Sequence, residues 1–521
     1  MNIIFTDYEK EAKLVKGRTI LSYLHELEID INCACGGEGK CGQCLVEVEC
    51  ILGALSEITE KEHNFIHDDI HRLACQARIE KIDNPIYVRV PKRIYFVLES
   101  GEYKEIPLEP FVHIEGERVF YESEDIGEYT GELYGIALDI GTTTLAMYLI
   151  DLESGQVLYV LSRENPQLKY GNNVISRIEF ARDRQKVLER EIRAAVNEMI
   201  RAMVDPKRVY ELVVVGNPVM RDLFFGYSVE SLGKSPYEPL RVQAIRKTAK
   251  ELGLKANSAA RVYGLPLIGS FVGADALAVV LATGMNESDE LCLAIDIGTN
   301  TEIVLGSRFR LIATSCAAGP AFEGAGIPCG LGGVTGAIKE VKIEKGEVRY
   351  RTIGDTTPVG VCGSGLIDTL AELLERRIID GRGKFLGDKK EFEIVEGFNL
   401  SERDIDQLNL AKTAVAVGIK TLMRNYGVAL DEIDSIFLAG AFGNFINIEN
   451  AVRIGLLPPV DREKVKKVGN AALEGARQAL ISRPKREEAE AVAKRIEHVK
   501  LEEEKDFMEK FVSELYFQHY L

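Results

Sequence analysis

GIALDIGTTTLAMYL, residues 135–149, and LAIDIGTNTEIVLGS, residues 293–307, are two versions of one unit. Each is an apolar strand ending in Asp-Ile-Gly-Thr and followed by a second apolar strand, so each reads as a β-hairpin. Repetition of one unit in a chain predicts two similar half-domains. Around both copies, apolar strands such as ELVVVG (211–216) and SIFLAG (435–440) alternate with helical stretches, among them 184–203 and 411–425. That alternation is an α/β pattern. A turn with glycine and threonine donors cradles phosphate, and a carboxylate at the strand end is placed to hold Mg²⁺ or orient water. The first turn offers Asp139, Gly141, Thr142 and Thr143, the second Asp296, Gly298, Thr299 and Asn300. Two ordinary tight hairpins would give the same local pattern. A GxxxxGK[ST] loop is absent, and no credible Rossmann fingerprint is present.

A second cluster of chemistry lies near the start. CACGGEGKCGQC, residues 33–44, packs four cysteines and four glycines into twelve residues. Cys35, Cys41, Cys44 and the distant Cys75 have the spacing C-x5-C-x2-C…C, one residue longer in the first gap than the plant-type [2Fe–2S] pattern. Glycine supplies the φ > 0 positions and close N–H groups that a cluster-wrapping loop needs. Zinc and redox-dithiol chemistry use the same thiolates, but zinc ribbons favour two C-x2-C knuckles and this chain has one. Cys33 would lengthen the first gap to seven and is left out of the ligand set. Cys50, ending an alternating strand, is expected in the core or bordering it.

The chain has 521 residues, 46% of them hydrophobic and 28% charged, with a net charge of −17. That charge excludes nucleic acid, whose phosphates would be repelled. No apolar run is long enough for a membrane span and the first residues are no signal peptide, so a cytoplasmic location is expected. Four regions are expected: a small β-rich domain over 1–96, an acidic linker over 97–133, an α/β unit over 134–460 and a charged helical region over 461–521. From Glu99 to Glu132, eleven acidic residues stand against Lys104 and Arg118. This is the composition of an extended, self-repelling linker, though a short hairpin around FVHIEGERVFY fits as well.

With IFLAGAFGNFIN (436–447), the two turns resemble the phosphate-1, phosphate-2 and adenosine motifs of the acetate kinase, sugar kinase, heat-shock-70 and actin superfamily. The resemblance implies ATP between two lobes, with Gly440 and Gly443 letting the adenosine approach the backbone. GADALAVVLATGM (273–285) looks like that superfamily's first connecting helix, with Asp275 at its acidic position. The cysteine spacing looks like the adrenodoxin variant of the ferredoxin domain. Together with CAAGPAFEGAGI (316–327), VCGSGLID (361–368) and VVGNPVM (214–220), the combination resembles the reductive activators of corrinoid proteins.

The implied fold is α/β overall: a β-grasp, ferredoxin-like domain followed by a two-lobed, actin-like ATPase with duplicated halves. The implied cofactors are a [2Fe–2S] cluster, ATP and Mg²⁺. Its implied work is to pass one electron to cob(II)amide on a corrinoid protein, coupled to ATP hydrolysis, with an upstream low-potential electron donor. Whether the chain forms a homodimer stays open. The short stretch between the two parts implies that the middle domain of some members is missing or merged. Two other functions stay open. One is an activator of acyl-CoA dehydratases or reductases, for which Cys316, Cys329 and Cys362 would be the candidate bridging thiols; the other is a redox-sensing, ATP-regulated binding protein.

Overall fold

The computed structural model describes residues 1–8, 10–27, 29, 31, 44–63, 66, 70–90, 106–129, 131–440 and 445–517. Near the N-terminus, five strands form a mixed sheet in the order 10–13, 2–5, 86–89, 45–49, 71–73. The strands Asn2–Phe5 and Ile86–Arg89 run parallel in its middle, with Ile3 opposite Ile86. The helix Ile20–Glu26 starts at Thr19, whose side chain accepts from the Ser22 amide, and buries Ile20, Leu21, Tyr23 and Leu24. Those residues share one core with Ile3, Phe5, Val46 and Val88. This is the expected β-grasp arrangement.

Each copy of the repeated unit forms the hairpin that its sequence predicts. In the first, Tyr134–Ile140 pairs antiparallel with Thr144–Asp151, putting Asp139 opposite Ala146. In the second, Cys292–Asp296 pairs antiparallel with Thr301–Gly306, putting Asp296 opposite Glu302. A parallel strand flanks the first member of each hairpin: Val209–Gly216 in one lobe and Ser435–Ala439 in the other. Each hairpin thus lies within its own six-stranded sheet, and the two sheets repeat one plan.

Two helices, Ala274–Thr283 and Ala471–Ile481, join the sheets. A single core contains Ala137, Ala146 and Tyr148 from the first sheet, Ala294, Val304 and Ala313 from the second, and much of both helices. Small side chains let the helices come close. A Cβ on Gly475 would collide with the Ala278 carbonyl, so glycine is required at that crossing.

Two of the expected regions are redrawn. Within the stretch expected as an acidic linker, the alternative hairpin around FVHIEGERVFY is the one formed: Val112–Glu115 pairs with Arg118–Tyr121, and Glu124–Glu128 adds a third strand. Val112, Val119 and Ile126 enter the core that holds Leu133 and Ala137. Glu109 exchanges backbone hydrogen bonds with Ile481 and Arg483. The residues before 106 in that tract lie outside the described residues. The region after 460 is integral as well. Val465–Gly469 edges the second sheet, the next helix lies between the lobes, and Ile496–His498 pairs with Leu311–Ala313. Arg486 from this region is buried against Glu211 at 2.7 Å and stacks on Phe111 and Tyr263.

Candidate functional site

The N-terminal sheet brings two cysteines together. Cys44 immediately precedes the strand Leu45–Glu49, and Cys75 follows His71–Leu73. These strands pair with Leu45 opposite Leu73, and the Ala74 amide donates to the Cys44 carbonyl at 2.8 Å. Both cysteines are buried. The edge carrying Cys75 is pinned by Glu62. Its carboxylate accepts from Arg72, from the Leu73 amide at 3.1 Å and from the Thr59 amide at 3.0 Å. Burial opposes the charge on Glu62, yet Arg72 and these donors hold its carboxyl below the usual value. Cys35, Cys41 and Cys33 lie outside the described residues. Among the described residues, no three His, Cys, Asp or Glu side chains form a metal-ligand set. Two buried thiols at adjoining strand ends suit one edge of a four-thiolate cluster. Cys50, expected in the core or bordering it, is exposed at the other end of its strand.

The second site is the floor between the lobes. The first turn is fixed from behind: Asn165 donates to the Gly141 carbonyl at 2.8 Å, and Arg177 to the Thr142 carbonyl at 2.6 Å. Asn217 donates to the Thr142 hydroxyl at 3.0 Å. The second turn is held by the Gly319 amide, which donates to the Thr299 carbonyl at 2.8 Å. The two turns meet, with the hydroxyls of Thr143 and Thr299 2.9 Å apart. Both joining helices begin here. Asp275 lies in the first turn of Ala274–Thr283. Asn470 caps Ala471–Ile481 by accepting from the Leu473 amide, and donates to Asp139 at 3.1 Å. Helix N-termini favour anions, and two of them start at this floor.

The third motif adjoins the second turn. The Ile297 amide donates to the Ala439 carbonyl at 3.2 Å, and the Gly440 amide to the Gly469 carbonyl at 3.0 Å. Gly440 has φ +105°, and a Cβ there would collide with the Ile297 carbonyl, so only glycine fits. Gly443 lies outside the described residues.

The carboxylates crowd one another. Burial pushes Asp139 up to about 6, against the hydrogen bond from Asn470. Asp275 rises to about 7 through burial and the charge of Asp139. Asp296 rises to about 8 through burial, then Asp139, Asp275 and Glu323. Glu302, buried opposite Asp296, is raised by its burial and by Asp275 and Asp296. Such a group of carboxylates favours binding of a cation at the same floor.

Asp139, Asp275, Asp296 and both turns, named from the sequence, lie together at this floor; Glu302, Glu323, Asn470 and Arg177, not named from it, lie there too. Glu302 had a signal, since hairpin register sets it opposite Asp296 where the first copy has Ala146. Cys316, Cys329 and Cys362 are all buried, with their thiols pushed up chiefly by that burial. A cluster bridging two subunits needs thiolates that reach a surface, and these do not.

Two lobes of one plan around such a floor define an ATPase of the acetate kinase, heat-shock-70 and actin class, carried here on the same chain as a ferredoxin-type domain. Residues 290–521 match the family described as the C-terminal domain of RACo, the ASKHA domain, and 134–288 match the RACo middle region. Residues 4–80 match the 2Fe-2S iron-sulfur cluster binding domain. A solved structure, a reductive activator for corrinoid, iron-sulfur protein, aligns with a TM-score of 0.75 and 30% identity over 99% of this chain and 98% of that one. The corrinoid activation enzyme RamQ of Eubacterium limosum is 29% identical over 98% of both chains. A [Co(II) methylated amine-specific corrinoid protein] reductase of Methanosarcina barkeri is 29% identical over 74% of this chain and 77% of its own. The chain belongs to the family of reductive activators of corrinoid proteins. The middle region is present, as the lobe over 134–288, and the expectation that it is missing is corrected; it lies within the stretch expected as the ATPase unit.

Proposed function

We propose that this protein is an ATP-dependent reductive activator that passes one electron to cob(II)amide on a corrinoid protein, restoring cob(I)amide. The observation that carries the reading is the joining of two sites on one chain: the thiols of Cys44 and Cys75 at one sheet edge, and the paired phosphate turns between the lobes. Cys35, Cys41, Cys44 and Cys75 would hold a [2Fe–2S] cluster, which supplies a one-electron, low-potential donor. Thr142, Thr143, Thr299 and Asn300 would donate to the phosphates of ATP, with Gly141 and Gly298 shaping their turns and Gly440 and Gly443 the adenosine side. Asp139, Asp275 and Asp296 would hold Mg²⁺. Mg²⁺ commonly keeps several of its waters and is bound through one or two carboxylates, so these groups would act on it largely through those waters. Enclosure of the floor strengthens each of these interactions.

A low-potential reductase or ferredoxin fits as the upstream donor, and the cytoplasm as the place of work; no helix among the described residues is long and apolar enough to cross a membrane. The test mixes the reduced protein with a corrinoid protein and follows cob(I)amide absorbance with and without ATP. ATP-stimulated appearance of cob(I)amide supports the reading. Nucleotide hydrolysis with no cob(I)amide from any corrinoid protein would overturn it.

A further inference from the structure

Glu323 ties the two phosphate turns to each other. It ends a short helical turn, Pro320–Glu323, that follows the second hairpin. Its Oε2 accepts from the Thr143 hydroxyl of the first lobe at 2.9 Å, and also from the Thr299 hydroxyl of the second. Burial raises the Glu323 carboxyl above its usual value, while the two threonine hydroxyls and the charge of Arg177 favour its ionised form and Asp296 opposes it. Each threonine hydroxyl has a single proton to donate. Once given to Glu323, it is not available to a phosphate oxygen.

From this juxtaposition we infer that Glu323 is the specificity-determining residue that reads the terminal phosphate of the nucleotide. The inference rests on the nucleotide-site reading above. In the absence of a terminal phosphate, the Glu323 carboxylate takes both hydroxyls and clasps the lobes. A terminal phosphoryl group competes for the same two protons and repels the carboxylate, so ATP must displace Glu323. A nucleotide lacking that group leaves the clasp closed. The difference between the two nucleotide states is thereby converted into a made or broken contact between the lobes, which a partner can sense.

The experiment measures the affinity of the full-length holoprotein for ADP and for a non-hydrolysable ATP analogue by calorimetry. Glu323→Gln keeps the shape and removes the competing charge. It should tighten the analogue by about tenfold or more while moving ADP by less than about twofold. Equal changes for both nucleotides, or none, would overturn the inference. A second measurement needs no variant: in the unmodified protein, amide exchange over 319–326 should rise with the analogue and not with ADP. Identical exchange with both counts against it. If the unmodified protein binds neither nucleotide, the nucleotide-site reading fails, and this inference with it.

Discussion

Asp139 and Asp296 hold equivalent positions in the repeated hairpins but sit in unequal fields. Asn470 donates to Asp139, whereas Asp296 faces Asp139, Asp275 and Glu323. In the folded protein both carboxyls lie above the ordinary range near 4, so folding favours their protonated forms. The unfolded chain releases these protons first as pH rises. In metal-free, nucleotide-free protein the stability contributed by these two groups should therefore be lost from about pH 4 upward, with the loss levelling above about 8. Asp296→Asn should flatten that slope, and melting curves across pH check it; an unchanged slope would place the carboxyl in water. At the other site, Cys44→Ser should bleach the visible spectrum and abolish electron transfer while ATP binding survives. Cys33→Ser should leave the spectrum nearly intact. Visible absorption and nucleotide titration on the same preparations separate these outcomes.

At the scale of elements, close packing of the two joining helices fixes how the lobes meet. Gly475→Ala forces a Cβ against the Ala278 carbonyl. It should cost about 1–3 kcal/mol, read as a lowered melting temperature with the cluster spectrum unchanged. Limited proteolysis should spare residues 112–128, because their strands are paired and their Val112, Val119 and Ile126 are buried. Cleavage there in the folded protein would contradict that packing. How much of this was legible in the sequence depended on range. The hairpins were readable because their apolar strands are contiguous and their turn is repeated. Cys44 and Cys75 were readable because the family spacing survives. Glu323 and Asn470 act on residues far away in the chain, so no local pattern exposed them. The hairpin over 111–121 and the helical character after 460 were legible, but their docking onto the lobes was not, because charge dominates their composition and the partners of their apolar residues are distant in the chain. Arg486 shows the same failure in a single residue: a charge in a charged helix, yet buried with Glu211.

At the scale of the whole molecule, two sites with separate chemistry have to act on one partner. The proposed donor is a ferredoxin-type cluster, and where cob(II)amide lies below it in potential the transfer runs against the gradient. Each ~100 mV of that gap costs about 2.3 kcal/mol for one electron. ATP helps only by making some state of the complex bind the partner better than another, since equal binding of all states shifts nothing. Among the described residues, the groups suited to sense ATP are on the floor between the lobes, where Asp139 belongs to one sheet and Asp296 to the other. Asp139→Asn and Asp296→Asn keep the shape of that floor and remove charge from it. Both variants should retain the cluster spectrum and its potential, yet lose ATP-stimulated reduction of the corrinoid protein by about 10²-fold or more. ATP hydrolysis and cob(I)amide formation, assayed on the same preparations, decide the matter. If either variant reduced the partner as fast as the unmodified protein while hydrolysing no ATP, the electron would not be driven by ATP, and the lobes would act as a nucleotide-regulated sensor instead.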